Sequence, residues 1–257
     1  MILIENHYWR YAFYRAYFNL IGEASRYYLG WLWWFLEPVA MTGVFYVVFT
    51  YIRPSGMENF SLFILTGVTM WLWFSNGVAN STASLFVGRS IISNMRLPKL
   101  MFPLVSVASA TLKQGFVFLI VLTVMGFAIG PSPAWFYLPV LALAQFCLIL
   151  AVASIVSIVC CYVRDLRFVV SSGLTLLMFC SGLFFPIDSM PVEWQPYFRL
   201  NPMAVMLEQY RLVLLYQTAA DLAWCLKVIA GSALALYLIK RAFEWMDLTL
   251  TRRVMDS

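Results

Sequence analysis

Six apolar blocks, each about as long as a helix that crosses a bilayer, run through this chain at 29–51, 60–82, 102–129, 135–163, 168–187 and 222–243. Hydrocarbon roughly 30 Å thick takes about 20 helical residues to cross. Inside it every backbone N–H and C=O needs a partner within the chain, which leaves helices and closed barrels. The blocks lack the period-two alternation of barrel strands. They therefore predict an all-α integral membrane protein with six transmembrane helices. Composition agrees: 63% of residues are hydrophobic and 11% charged, where a soluble domain carries about 25% charged residues. Six spans and their connections use up the 257 residues, so a single transmembrane domain over 1–257 is expected, with no separate soluble domain.

The basic residues fall in alternate connections. Arg10, Arg15 and Arg26 precede the first block; Arg89, Arg96 and Lys99 follow the second; Arg164 and Arg167 follow the fourth; Lys240, Arg241, Arg252 and Arg253 follow the sixth. These twelve of the 17 basic residues share one side, against Arg53, Arg199 and Arg211 on the other. By the positive-inside rule both termini are cytoplasmic. The net charge of +5 then reflects this asymmetry against anionic lipid, not nucleic acid. No signal peptide is expected, because the first 28 residues carry three Arg and no apolar core, making the first block a retained span.

Catalytic groups are scarce. His7 is the sole histidine, so no His pair is available for zinc or for a Ser–His arrangement. No GxxxxGK[ST] phosphate loop occurs. The five cysteines, at 147, 160, 161, 180 and 225, sit in apolar blocks without CxxC spacing, and small buried hydrophobes are expected of them. Glu37, beside Pro38 in the first block, is either a functional intramembrane group or part of a proline kink. Lys113, in the third, either snorkels to the interface or faces a pore.

The connections differ in kind. Residues 1–28 predict an amphipathic interface helix, with Trp9, Phe13, Ala16, Tyr17, Leu20, Ala24 and Tyr27 on one face and Arg15, Asn19 and Arg26 on the other. It is either a lipid anchor or a docking helix. Residues 86–99, FVGRSIISNMRLPK, interleave Ile91, Ile92, Met95 and Leu97 with Arg89, Arg96 and Lys99. Such apolar residues either lie on lipid or enter a partner's groove. Arg164 and Asp165 suggest a local ion pair. Residues 186–221 carry four prolines and then a helix over 203–216 that Asn201 and Pro202 begin well. About 14 residues cannot span a bilayer, so a re-entrant or interfacial segment is expected between spans five and six, serving as an outer gate or a rigid cap. Glu208 and Arg211, three apart, are placed to neutralise each other.

Aromatic residues make up 18% of the chain. Trp33, Trp34, Tyr46, Trp71, Trp73, Phe179, Phe184 and Phe185 lie in or near the spans. They serve either as a surface on which sugar faces stack or as lipid-facing packing.

Several segments together resemble one family. They are Arg26-Tyr27-Tyr28-Leu29-Gly30-Trp31-Leu32-Trp33, Leu36-Glu37-Pro38, Gly67 with Trp71 and Trp73-Phe74-Ser75-Asn76, Leu97-Pro98-Lys99 with Pro103-Leu104, Arg164-Asp165-Leu166, and Phe185-Pro186-Ile187 leading through Met190-Pro191 and Leu200-Asn201-Pro202 to Arg211. Their order resembles the membrane subunit of type-2 ATP-binding-cassette exporters of O-antigen, capsule or teichoic acid. The resemblance implies two copies of this chain working with two copies of a nucleotide-binding ATPase subunit. ATP and Mg would be held by that partner, with no cofactor in this chain, and a lipid-linked polysaccharide would be exported across the bacterial inner membrane. It further implies that Arg89, Ile91, Ile92, Met95, Arg96 and Lys99 form the ATPase-coupling element. Pro186, Asn201, Pro202, Glu208 and Arg211 would belong to the gate, and the eight aromatics named above would line the channel. Met95-Arg96 stands where many relatives carry an aromatic before the proline, and Lys113 is outside the pattern. A six-span exporter of a drug, haem or small lipid is the alternative within transport. A membrane-embedded transferase would need a His or Asp cluster that the sequence lacks, and a passive channel leaves the apolar 86–99 loop unexplained.

Overall fold

The computed structural model describes residues 2–25, 28, 30–52, 59–94 and 97–255, apart from the side chains of 2–9, 11–13, 52, 94, 248 and 254–255. All regular structure among these residues is helical. In chain order the helices are α1 (Ile2–Ser25), α2 (Leu32–Ile52), α3 (Phe60–Ser81), α4 (Ser84–Val87), α5 (Arg89–Asn94), α6 (Met101–Ala128), α7 (Leu138–Tyr162), α8 (Leu166–Phe179), α9 (Gln195–Arg199), α10 (Pro202–Leu214), α11 (Leu222–Trp245) and α12 (Asp247–Met255). Short 3-10 turns cover Pro133–Tyr137 and Ile187–Ser189.

Five of the helices, α2, α3, α6, α11 and α7 with its preceding turn, are long and apolar enough to cross a membrane. They match five of the six blocks within a few residues. The block at 168–187 differs: its helix α8 has 14 residues, about 21 Å at 1.5 Å per residue, and ends at Cys180. Gly182, with φ +63°, turns the chain there, a left-handed conformation that glycine adopts without a Cβ clash. This is a multi-pass membrane protein.

Helix α3 is the centre of the bundle. It packs against α2, α6, α7 and α10, and about two thirds of its apolar window is buried. Its hydroxyls are satisfied locally, Thr66 and Thr69 donating to the carbonyls of Leu62 and Leu65, which keeps polar groups paired in an apolar setting. Gln145 of α7 donates to the Met70 carbonyl at 2.9 Å and ties the two helices together. By contrast only 17% of the apolar window of α2, and the same share of α11, is buried. Those faces are turned out of the chain.

The α1 face carrying Ala16, Leu20 and Ala24 is buried and α1 lies along α6. Tyr17, expected on that face, is exposed. Trp9 and Phe13 fall among the undescribed side chains, and Arg26, Tyr27 and Arg53 lie outside the described residues. Lys113 has a partner on α1. Its ammonium is 3.1 Å from Glu23 of α1 and lies over the Trp34 ring. Pro38 sits inside α2 and, lacking an N–H, leaves the Trp34 carbonyl without its helical donor. All five cysteines are free; Cys160, Cys161 and Cys225 are buried and Cys180 is exposed.

Candidate functional site

At one end of the bundle the break after α8 is clamped by α10. Asn201 starts α10 as its N-cap, its Oδ1 accepting from the Met203 N–H at 3.0 Å, and Pro202 occupies the first helical turn. The other side of the same amide donates to Ser181 Oγ at 2.9 Å. Ten residues on, buried Arg211 donates from Nη1 to the Gly182 carbonyl and from Nη2 to the Leu183 carbonyl, both at 2.8 Å. Its guanidinium carbon stands 3.5 Å from the centre of the Phe63 ring. A charge taken from water is tolerated when hydrogen bonds and an aromatic face compensate it. Here α10 supplies the charge, the turn supplies the carbonyls and α3 supplies the ring. Gly67 completes the fit, because a Cβ there would lie 2.7 Å from Arg211 Nη2.

Glu208 and Arg211 lie close enough to feel each other's charge, as expected, but without a direct ion-pair contact. The ion pairs among the described residues are Lys99–Asp247, Lys113–Glu23, Arg199–Asp188 and Arg241–Glu244. Arg211 points instead at the two carbonyls that the helix break leaves open, which lie closer to hand than the half-buried carboxyl one turn away. Arg199, at 2.9 Å from Asp188, ties α9 to the turn that follows Pro186. Gln209 accepts from the Asp221 N–H at 2.7 Å, and Asp221 in turn caps α11. The 186–221 segment is thus braced at both ends.

The aromatics sort by burial. Phe184 is buried beneath this turn, stacked on Phe49 at 4.6 Å and in contact with Phe45 and Phe179. Half-buried Phe185 meets Phe198 edge-on. Trp34, Trp71 and Trp73 are also buried inside the chain, Trp73 donating from its indole to Thr111. Trp33, Tyr46 and Phe179 are exposed. The eight aromatics therefore do not form one surface. Four of them, Trp34, Trp71, Trp73 and Phe184, are buried within the chain, because apolar rings at helical spacing on central helices are drawn into the core.

At the opposite end α4 and α5 fold onto a second apolar cluster of Leu85, Phe102, Cys161, Ile239, Phe243 and Leu250. Ile91 and Ile92 pack half-buried against it, each keeping part of its surface outside. The faces turned outward are those of Val87, Arg89, Ser90 and Ser93. Lys99 is buried, and its ammonium donates to the carbonyl and carboxylate of Asp247 and, at 2.7 Å, to Thr251 of α12. Arg164 does not pair with Asp165. Arg164 and Arg167 stand 5.2 and 4.7 Å from the centre of the Phe86 ring. Met95 and Arg96 lie outside the described residues.

Sequence reasoning missed Asp247 and Thr251, Phe63, Gly182, and any role for Gly67. Asp247 and Thr251 do carry a signal, since four-residue spacing puts both on one helix face. Ser181-Gly182 inside an apolar run is likewise a break signal.

Residues 17–215, most of the chain, match the ABC-2 type transporter family. The O-antigen export system permease protein RfbA of Myxococcus xanthus is 28% identical over 221 residues, covering 84% of this chain and 85% of that protein. A protein of the same description from Klebsiella pneumoniae is 28% identical over 189 residues, 71% of each. The capsule polysaccharide export inner-membrane protein CtrC of Neisseria meningitidis serogroup A is 26% identical over 200 residues, 75% of this chain and 74% of that one. The matched region includes α2 to α10, both the turn clamped by Arg211 and the α4–α5 element, and the chain accordingly belongs to the ABC-2 type transporter family.

Proposed function

We propose that this chain is the permease subunit of an ATP-driven exporter that carries a lipid-linked polysaccharide, of O-antigen or capsular type, across the bacterial inner membrane. The observation that carries this is similarity over 71% to 84% of the chain to permeases of O-antigen and capsule export. The chain itself is non-catalytic, and a separate subunit binds ATP and Mg and hydrolyses the nucleotide. Two copies of the chain pair. The outward apolar faces of α2 and α8, including Trp33, Leu36, Val44, Val47, Phe168 and Leu176, support this, since apolar area on that scale is stabilised by a partner or by lipid.

In this assembly α8 with its following turn makes the sixth crossing, and α9–α10 form a re-entrant gate held by Arg211. The twelve-to-three division of basic residues supports cytoplasmic termini. The ATPase docks on the outer face of α4–α5 around Val87, Arg89 and Ser93, while Lys99 anchors that element to α12. Trp33, Tyr46, Phe179 and Phe185 contribute to the polymer path, with the buried rings supporting them. Purification of the tagged chain from its host tests the assembly. An ATPase subunit at equal stoichiometry is expected, and a preparation that contains the chain alone, fully active in its cellular role, contradicts the proposal.

A further inference from the structure

A cleft of about 280 Å³ opens between α1, α2, α3 and α6, apart from both the outer clamp and the coupling element. Its volume sits just below the roughly 300–1,000 Å³ of ordinary ligand pockets, which suits one small group. Its walls are polar, although helices of this composition surround it: Glu37 of α2, Asn76 and Asn80 of α3, Gln114 of α6, and the Glu23–Lys113 pair. Gln114 is 7% exposed, and its Nε2 donor has no hydrogen-bond partner. Buried donors are almost always satisfied, but this one has no surface open to the cleft, so the polar groups that a ligand there would meet are those of Glu37, Asn76 and Asn80. Glu37, Asn76 and Asn80 likewise make no side-chain hydrogen bond or ion pair with other described residues.

The charge pattern narrows what fits. Lys113 is already matched by Glu23 at 3.1 Å, so the carboxyl group of Glu37 is the surplus charge. A phosphate or pyrophosphate would meet it unfavourably. The carboxamides of Asn76 and Asn80 offer N–H donors, for which an ammonium group has no acceptor. A hydroxyl meets both demands, donating to Glu37 while accepting from Asn76 or Asn80. We infer that this cleft binds one uncharged, hydroxyl-bearing sugar ring of the exported glycan, an inference that rests on the polysaccharide-export function proposed above. In the proposed orientation Asn80 lies at the cytoplasmic end of α3 and Glu37 near that of α2, so the cleft faces the side from which the glycan arrives.

Photo-crosslinking in exporting cells tests it. Benzoylphenylalanine placed at Asn80 of the full chain, assembled with its ATPase, is irradiated, and the purified permease is examined for glycan by periodate staining and for lipid by mass spectrometry. The expected result is a glycan adduct whose yield falls roughly tenfold in Glu37→Gln or Asn76→Leu, the loss that goes with one hydrogen bond of ordinary net strength. Phospholipid adducts alone, no adduct, or a glycan yield untouched by both substitutions overturns the inference, the cleft then holding lipid or water. Surface polymer is measured in the same cells. If it depends on the chain while no glycan adduct forms, the cleft assignment fails and the export function stands. If deleting the chain leaves surface polymer unchanged, both fail.

Discussion

Arg211 shows how one residue can hold a helix break together. Its two bonds serve the Gly182 and Leu183 carbonyls that the break leaves without helical donors, and for Gly182 even a continued α8 would have offered only Pro186, which has no N–H; Phe63 and Gly67 shape the space around it. Removing it strands two buried acceptors, each at a cost of about 1–3 kcal/mol. Arg211→Met is therefore expected to lower the thermal midpoint of the purified complex and to abolish export, measured as surface polymer. Gly67→Ala should act in the same direction, because the guanidinium, pinned between a ring and two carbonyls, has no room to yield to a Cβ at 2.7 Å. An unchanged midpoint in both variants would mean that the clamp carries no stability. Lys99 plays the equivalent part at the other end. Lys99→Met should release α12, seen as faster tryptic cleavage after Arg252 and Arg253 while the rest of the chain stays intact. Neither role was visible locally: Lys99 sits 148 residues from Asp247, and Arg211 lies nearly thirty from the carbonyls it serves.

Among the elements, α5 is the clearest case of a pattern that sequence gave only in part. Apolar residues interleaved with Arg suggested a helix displaying Ile91 and Ile92, but α12 closes a cluster beneath it, and Leu250 of that helix is fully buried there. Whether an apolar residue on a short helix faces a partner or its own chain depends on distant segments. Ile91→Asp is consequently expected to destabilise the fold, by placing a charge in an apolar contact, and to lower the amount of inserted permease. Val87→Asp, at an exposed position, should leave insertion intact and deplete the ATPase from the purified complex. Equal permease levels in the two variants would argue against this division of the α4–α5 element. The periodicity of α1 was more informative: Ala16, Leu20 and Ala24 were placed on one face and are buried together. Tyr17 escaped because a face drawn at 100° per residue covers half a cylinder, and only the path of α6 decides where burial stops.

For the whole molecule, hydropathy and helix caps made most of the architecture legible, since lipid permits so few backbone solutions. Five spans follow their blocks. The 168–187 block is apolar enough to count as a sixth, yet its helix stops at Phe179 because Gly182 turns the chain and α10 satisfies the freed groups from afar. The channel aromatics were the least legible, because core packing and a sugar-stacking surface draw on the same residue types at the same spacing. The proposed topology makes a direct prediction: in a Cys-free background, single cysteines at Ser132 and Glu193 should label from outside, and those at Ser93 and Asp165 from inside. Outside labelling at Ser93 would reverse it. The central claim, that this chain exports a lipid-linked polysaccharide, is tested most directly by deleting it from its host and assaying where the polymer lies. Loss of surface polymer with lipid-linked polymer accumulating on the cytoplasmic side, restored by re-expressing the chain, is the predicted result; surface polymer at its normal level without the chain contradicts the account.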